Sequence, residues 1–249
     1  MVAETVMLHC SRTGVTNGAA GFGIMISEDQ LKRVAAWSRE LTQAEIAVAR
    51  GGITERSYGT GETVFMRGDT FDYWAGMVFG LARMGGVSRD GKETSLAGLT
   101  AGAWFGEGSV LKNEPRRYDV VALRNSRVAL MERSAFMWLF ENSVGFNRFL
   151  VRQLNERLGQ FIGMLEVNRT LDATARLARS IASLFNPILY PESTAHLEIT
   201  QEEIGALSGM SRQNANRALN RLEKEGLLRL EYGGVTILDI ERLRGYGAE

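Results

Sequence analysis

Residues 200–228 read TQEEIGALSGMSRQNANRALNRLEKEGLL, and their local chemistry predicts two helices meeting at a tight turn. Thr200 followed by Glu203 is the S/T-x-x-E pattern, in which a hydroxyl and a carboxylate each satisfy a backbone N–H, so a helix is expected from Gln201. Leu207-Ser208-Gly209-Met210 is where that helix can turn, with Gly209 suited to the left-handed conformation and Ser211 able to cap a second helix. In the second helix Ala215, Ala218, Leu219 and Leu222 fall on one face, and Arg212, Gln213, Asn216, Arg217, Asn220 and Lys224 on the other. A face that merely meets water mixes Glu with Lys. This one concentrates arginines and carboxamides, the side chains that pair bidentately with guanine and adenine edges, and the nearest acid, Glu223, lies late in the helix. After Gly226, LLRLEY and VTILDI flank Gly233-Gly234, which reads as a two-residue hairpin turn and hence a wing. The expectation is a winged helix-turn-helix whose second helix enters a major groove. Small helical units with a hairpin also serve as protein-interaction modules, and the charge pattern argues against that alternative.

Working back along the chain, Asp172 can cap a helix whose Leu177, Ile181, Leu184 and Phe185 share one face, and Asn186-Pro187 stops it. Residues 136–169 hold no proline and carry apolar residues at helical spacing. Val151, Leu154, Leu158, Phe161, Leu165 and Asn168 follow alternating steps of three and four, the seam of a coiled coil, which predicts a homodimer. The alternative is a single amphipathic helix packed on its own domain. Before it, TVFMRGD, WAGMVFGLARMGGV, TSLAGLTAGAWFGE and YDVVALRNSRVALME are strand-length segments at even spacing, with SRDGKE as a hairpin turn, and they predict a small antiparallel β-roll. Residues 31–49 are patterned as a helix, and the Gly-, Thr- and Ser-rich start reads as a loosely ordered extension. The expected fold class is α+β. Its parts are a flexible extension (1–28), a β-roll domain (29–135), which the resemblance given below makes the effector-sensing one, a dimerisation helix (136–170) and a DNA-binding domain (171–249), with a hinge at 170–173.

The 249 residues carry 29 basic and 29 acidic side chains, so any binding of nucleic acid must come from a local patch. Cys10 is the only cysteine, which excludes an internal disulfide, a zinc site built on several thiolates and four-cysteine ligation of an iron–sulfur cluster, and suits a reducing cytoplasm. No run of eighteen apolar residues and no signal-peptide pattern occurs, so neither a membrane span nor secretion is expected.

This order of parts resembles the Crp–Fnr transcription regulators over about residues 31–241. GMSRQNANRAL is similar to the family's turn and recognition helix, and FGEGSVLKNEPRR to its phosphate-binding cassette. The resemblance implies a cyclic-nucleotide-binding-like jelly roll and DNA contacts from Ser211, Arg212, Gln213, Asn216, Arg217 and Asn220. It also implies a homodimer on pseudo-palindromic double-stranded DNA, and contact with RNA polymerase. The family commonly carries glutamate where Gln213 stands. Glutamine prefers adenine and glutamate accepts from cytosine, so a different half-site is expected. In the cassette, Gly102, Gly106 and Gly108 permit close backbone approach, and by resemblance Glu107 holds a ribose hydroxyl and Arg116 a cyclic phosphate.

Several positions depart from the family. Arg117 replaces a small hydroxyl residue, Tyr118 an alanine, and Asp119 adds a negative charge. Phe161 and Ile162 stand where hydroxyls would contact adenine. The effector therefore stays open between cAMP or another cyclic nucleotide, a cyclic dinucleotide engaged by the Arg116–Arg117 pair, and none, with Glu107 and Arg116 then forming an internal ion pair. A haem sensor would need an axial ligand, and the adjacent pair His9 and Cys10 lies in the extension, which weighs against haem. His196 reads as a surface residue. An enzyme using the glycine-rich pocket is the remaining class, but no nucleophile, base, metal set, P-loop or GxSxG accompanies it.

Overall fold

The computed structural model describes residues 26–70, 72–87, 93–170 and 172–247. His9 and Cys10, most of the SRDGKE turn, Leu171 and the side chain of Asn168 lie outside the described residues. Ile26 is buried and the Ser27 hydroxyl accepts the Gln30 N–H, opening α1 (Glu28–Val34). Residues 26–28, expected in the extension, are thus part of the folded body. A 3-10 turn (Ala36–Glu40) then separates α1 from α2 (Gln43–Gly51), so the single helix expected over residues 31–49 is broken. The break buries Trp37 completely, with its ring 5.4 Å from that of Trp74 and 5.2 Å from that of Trp104.

Among the described residues eight strands follow: β1 (Ile53–Tyr58), β2 (Thr63–Phe65), β3 (Tyr73–Phe79), β4 (Ala82–Val87), β5 (Glu93–Leu99), β6 (Trp104–Phe105), β7 (Asp119–Ala122) and β8 (Ser126–Glu132), with α3 (Glu107–Lys112) after β6. They form two four-stranded antiparallel sheets, ordered β1-β8-β3-β6 and β2-β7-β4-β5. Three of the four expected strand segments each split in two, because Gly80, Gly102 and the 123–125 turn bend the chain inside them. Between the sheets lie Phe65, Met77, Met84, Leu99, Phe105, Val120 and Leu130. Along β3, Trp74 packs outward beneath the helices while Ala75 and Met77 point inward, so WAGMVF reads as continuously apolar because both faces are covered.

After α4 (Arg133–Asn142) comes α5 (Val144–Thr170), the long helix. Gln153, Arg157 and Phe161, four residues apart, share the face turned to the roll: the first two are buried and Phe161 packs on the inter-sheet core. Phe161 is therefore displaced from the expected seam. Its place on the outward stripe is taken by Ile162 (50% exposed), in line with Val151 (67%), Leu154 (40%), Leu158 (58%) and Leu165 (58%).

The C-terminal part comprises α6 (Ala173–Ser183), β9 (His196–Leu197), α7 (Gln201–Ser208), α8 (Arg212–Lys224), β10 (Leu228–Glu231), β11 (Gly234–Ile237) and α9 (Ile240–Gly245). The Asp172 carboxylate caps α6, as expected. The wing turns at Tyr232-Gly233, one residue before the expected Gly233-Gly234, since Gly234 already pairs with Glu231 in the ladder. His196 is exposed and lies on the edge strand β9, with Nδ1 3.0 Å from Thr236 Oγ1. Leu81 and Leu123 of the roll enter this domain's core, and the Tyr190 hydroxyl donates to the Gly98 carbonyl at 2.8 Å.

Candidate functional site

Two caps and one glycine build the helix pair. The Thr200 hydroxyl accepts the Glu203 N–H at 3.2 Å while the Glu203 carboxylate accepts the Thr200 N–H at 2.7 Å. Gly209 sits at φ 63°, the left-handed region, and the Ser211 hydroxyl accepts the Asn214 N–H at 3.3 Å. Ala215, Ala218, Leu219 and Leu222 of α8 are buried against α6, α7 and the wing. Arg212, Gln213, Arg217, Asn220 and Lys224 are exposed on the opposite face. Among the described residues, Arg212, Gln213 and Arg217 have no hydrogen-bond or ion-pair partner. Arg221, further along, is engaged by Glu225 at 3.0 Å and Asp172 at 3.5 Å. Asn216 is half-buried and bonds Gln201, and Ser211 spends its hydroxyl on the cap. The outcome is a local cationic patch on a chain of zero net charge.

The second constellation lies at the β6–α3 junction. Gly106 has φ 91°, a conformation that glycine adopts without strain, and an added Cβ would meet Arg116 Nη1 at 2.1 Å. Arg116 is 2% exposed; Nη1 donates to the Gly106 carbonyl at 2.7 Å, Nη2 donates to the Tyr73 carbonyl, and its guanidinium carbon stands 4.4 Å from the Phe65 ring centroid. Burial pushes its pKa down, against the opposing fields of Tyr118, Glu107 and Asp72. Glu107 opens α3 and is 7% exposed, and its Oε2 is buried without a hydrogen-bond partner among the described residues. The internal Glu107–Arg116 ion pair is thus not formed. Gly108 borders open space in the same turn. Arg116 and Arg117 border one surface pocket with Arg67, Gly68, Glu114 and Pro115, but Arg116 is buried on the Gly106 and Tyr73 carbonyls whereas Arg117 is exposed and pairs with Glu114 at 2.9 Å. The two guanidiniums thus have different partners, Arg116 backbone carbonyls and Arg117 the Glu114 carboxylate.

Tyr118 packs beside Phe65, ring centroids 5.8 Å apart, and burial, with Glu107 nearby, pushes its phenol well above the usual value. Arg157 of α5, missed in the sequence, reaches the same region. It is 6% exposed, its Nη2 donates to the Trp104 carbonyl at 3.2 Å and its Nη1 is buried with no hydrogen bond within 3.5 Å among the described residues. Burial opposes its charge, but the fields of Tyr190, Glu107 and Tyr118 hold its pKa above the usual value. No sequence signal marked it, since a charged residue on a long helix ordinarily faces solvent. Phe161 packs on the inter-sheet core, whereas Ile162 faces outward.

A model of the cyclic nucleotide-binding domain matches residues 55–143, and one of the Crp-like helix-turn-helix domain matches residues 175–246. The CRP-like cAMP-activated global transcriptional regulator of Mycobacterium tuberculosis is 30% identical over 187 residues, 74% of this chain and 83% of that protein. The cyclic AMP receptor protein of Thermus thermophilus is 27% identical over 197 residues, 79% of this chain and 89% of that protein. FixK2 from Bradyrhizobium japonicum shares the fold, with TM-score 0.64 at 20% identity over 78% of this chain and 96% of that one. Sensor roll, long helix and winged helix-turn-helix, in that order and with these relatives, make the chain a member of the Crp–Fnr family of transcription regulators, a DNA-binding regulator with an effector domain.

Proposed function

We propose that this regulator grips a pseudo-palindromic site as a homodimer, reading bases with Arg212, Gln213 and Arg217 of α8. The observation that carries this is the pairing of a buried apolar face of α8 with an outward face on which these three residues have no partner among the described residues. Two guanidinium forks and a carboxamide suit the planar acceptor and donor edges of guanine and adenine. The stripe Val151, Leu154, Leu158, Ile162 and Leu165 supports a seam between two copies, which sets the helices about 34 Å apart. Selection from random double-stranded DNA tests the reading: an inverted repeat with half-sites one helical turn apart is expected, and an unrepeated site or no enrichment would overturn it.

The effector we assign to the roll is a cyclic nucleotide, whose ribose hydroxyl and phosphate suit Glu107, with its unpartnered Oε2, and the buried guanidiniums of Arg116 and Arg157. The M. tuberculosis relative is described as cAMP-activated. At the base end Phe161 and Ile162 offer no hydrogen bond, so weak discrimination between adenine and guanine is expected. Thermal unfolding with cAMP or cGMP reads this directly, since a ligand of the native state raises the midpoint. Both nucleotides should raise it in the wild type and neither in Glu107→Ala; a wild type unmoved by either contradicts the effector and leaves the DNA reading intact. We further assign the protein to the cytoplasm, in contact with RNA polymerase, and give it no catalytic role. No helix among the described residues is long and apolar enough to cross a membrane.

A further inference from the structure

Asn216 lies on the recognition face by position, yet its side chain turns back to α7. Its Nδ2 donates to Gln201 Oε1 at 2.6 Å, and its Oδ1 accepts from Asn220 Nδ2, also at 2.6 Å. Asn220 Nδ2 donates in addition to the backbone carbonyl of Asn216 at 2.8 Å. That last bond sets the direction of the whole chain. A backbone carbonyl only accepts, so Asn220 must present its nitrogen; the Asn216 atom facing that nitrogen must be oxygen, so nitrogen faces Gln201, whose near atom must be oxygen. Gln201 therefore directs its –NH2 away from the network, with no acceptor for it among the described residues.

Gln201 is the first residue of α7 and half-buried. In a docked helix-turn-helix the first helix crosses the sugar–phosphate backbone while the second lies in the groove. An outward group that only donates, held at the end of the crossing helix, matches a phosphate oxygen, which only accepts. Reading adenine would instead require Asn216 to present both its oxygen and its nitrogen outward, and both are engaged.

We infer that Gln201 is a contact to a DNA phosphate and that Asn216 is a positioning residue, holding Gln201 and reading no base. The inference rests on the proposed reading of DNA by α8. Its test is the affinity of the full-length protein for its selected operator and for operators changed one base pair at a time. Gln201→Ala and Asn216→Ala should each weaken binding about fivefold, the loss of one neutral hydrogen bond, by the same factor on every operator. The double variant should lose no more than either alone, because the two residues make one contact. Gln201→Glu should lose more than Gln201→Ala, since a carboxylate would face the phosphate. The inference is overturned if Asn216→Ala relaxes the preference at one base pair, if the two losses multiply, or if either single variant binds like the wild type. Arg212→Ala and Arg217→Ala serve as the reference: wild-type base profiles in both variants remove the parent reading, whatever Gln201 does.

Discussion

Glu203 does two jobs with one carboxylate. It closes the capping box of α7 and receives Arg124 Nε at 2.8 Å and Nη2 at 2.5 Å, fastening the DNA-binding domain to the roll. Burial works to raise its pKa, but the hydrogen bonds from Arg124 and Thr200 more than offset that and leave it below 4.5. A carboxyl with a lowered folded pKa stabilises the fold above its unfolded value and loses that contribution as pH falls through the folded one. Arg124→Ala should therefore cost about 1–2 kcal/mol at neutral pH, and the gap to the wild type should close on acidification below 4.5. Denaturant titrations across that range measure it; a constant gap would mean that the ion pair is not its source. At Gly106, a side chain meets both a φ of 91° and the Arg116 guanidinium. Gly106→Ala should lower stability by about 1–3 kcal/mol and abolish any nucleotide-induced rise in the unfolding midpoint. A variant that melts like the wild type and still responds to nucleotide would contradict this placement of Arg116.

Among the elements, the turn between α7 and α8 depends on one conformation. A Cβ at Gly209 would meet nothing within 4 Å, so only its φ of 63° resists substitution. Gly209→Ala should cost about 1 kcal/mol and Gly209→Asn less, as asparagine tolerates the left-handed region; equal losses in chemical denaturation would point to packing instead. This helix pair was legible in sequence because Thr200, Glu203, Gly209 and Ser211 act on neighbours within a few residues. The roll was legible as a texture of strands but not in its detail. ITERSY, which forms β1, has no regular alternation of apolar and polar residues, and glycine bends inside apolar runs leave the hydrophobic pattern unbroken. Arg157, and the link from Arg124 to Glu203 across 79 residues, depend on tertiary approach and leave no local trace. Phe161 and Ile162 adjoin on a helix, so which one faces the roll followed only from Gln153 and Arg157 being buried in register with Phe161.

For the whole molecule, the outward stripe of α5 gives the assembly a checkable form. Val151, Leu158 and Leu165 are each more than half exposed in the single chain, a state that a second copy would relieve. Sedimentation equilibrium should give about twice the 27.5 kDa chain mass, and Leu158→Glu should return it to that of one chain and weaken operator binding. A Leu158→Glu variant that keeps the wild-type mass would exclude this stripe as the seam. Reading of DNA by α8 is tested most directly by a base-by-base affinity profile of the selected operator with wild type, Arg212→Ala and Arg217→Ala. Each variant should lose about 1–3 kcal/mol of preference at one base pair per half-site and retain it elsewhere. Two variants that bind every operator as the wild type does would contradict the assignment of that face to DNA.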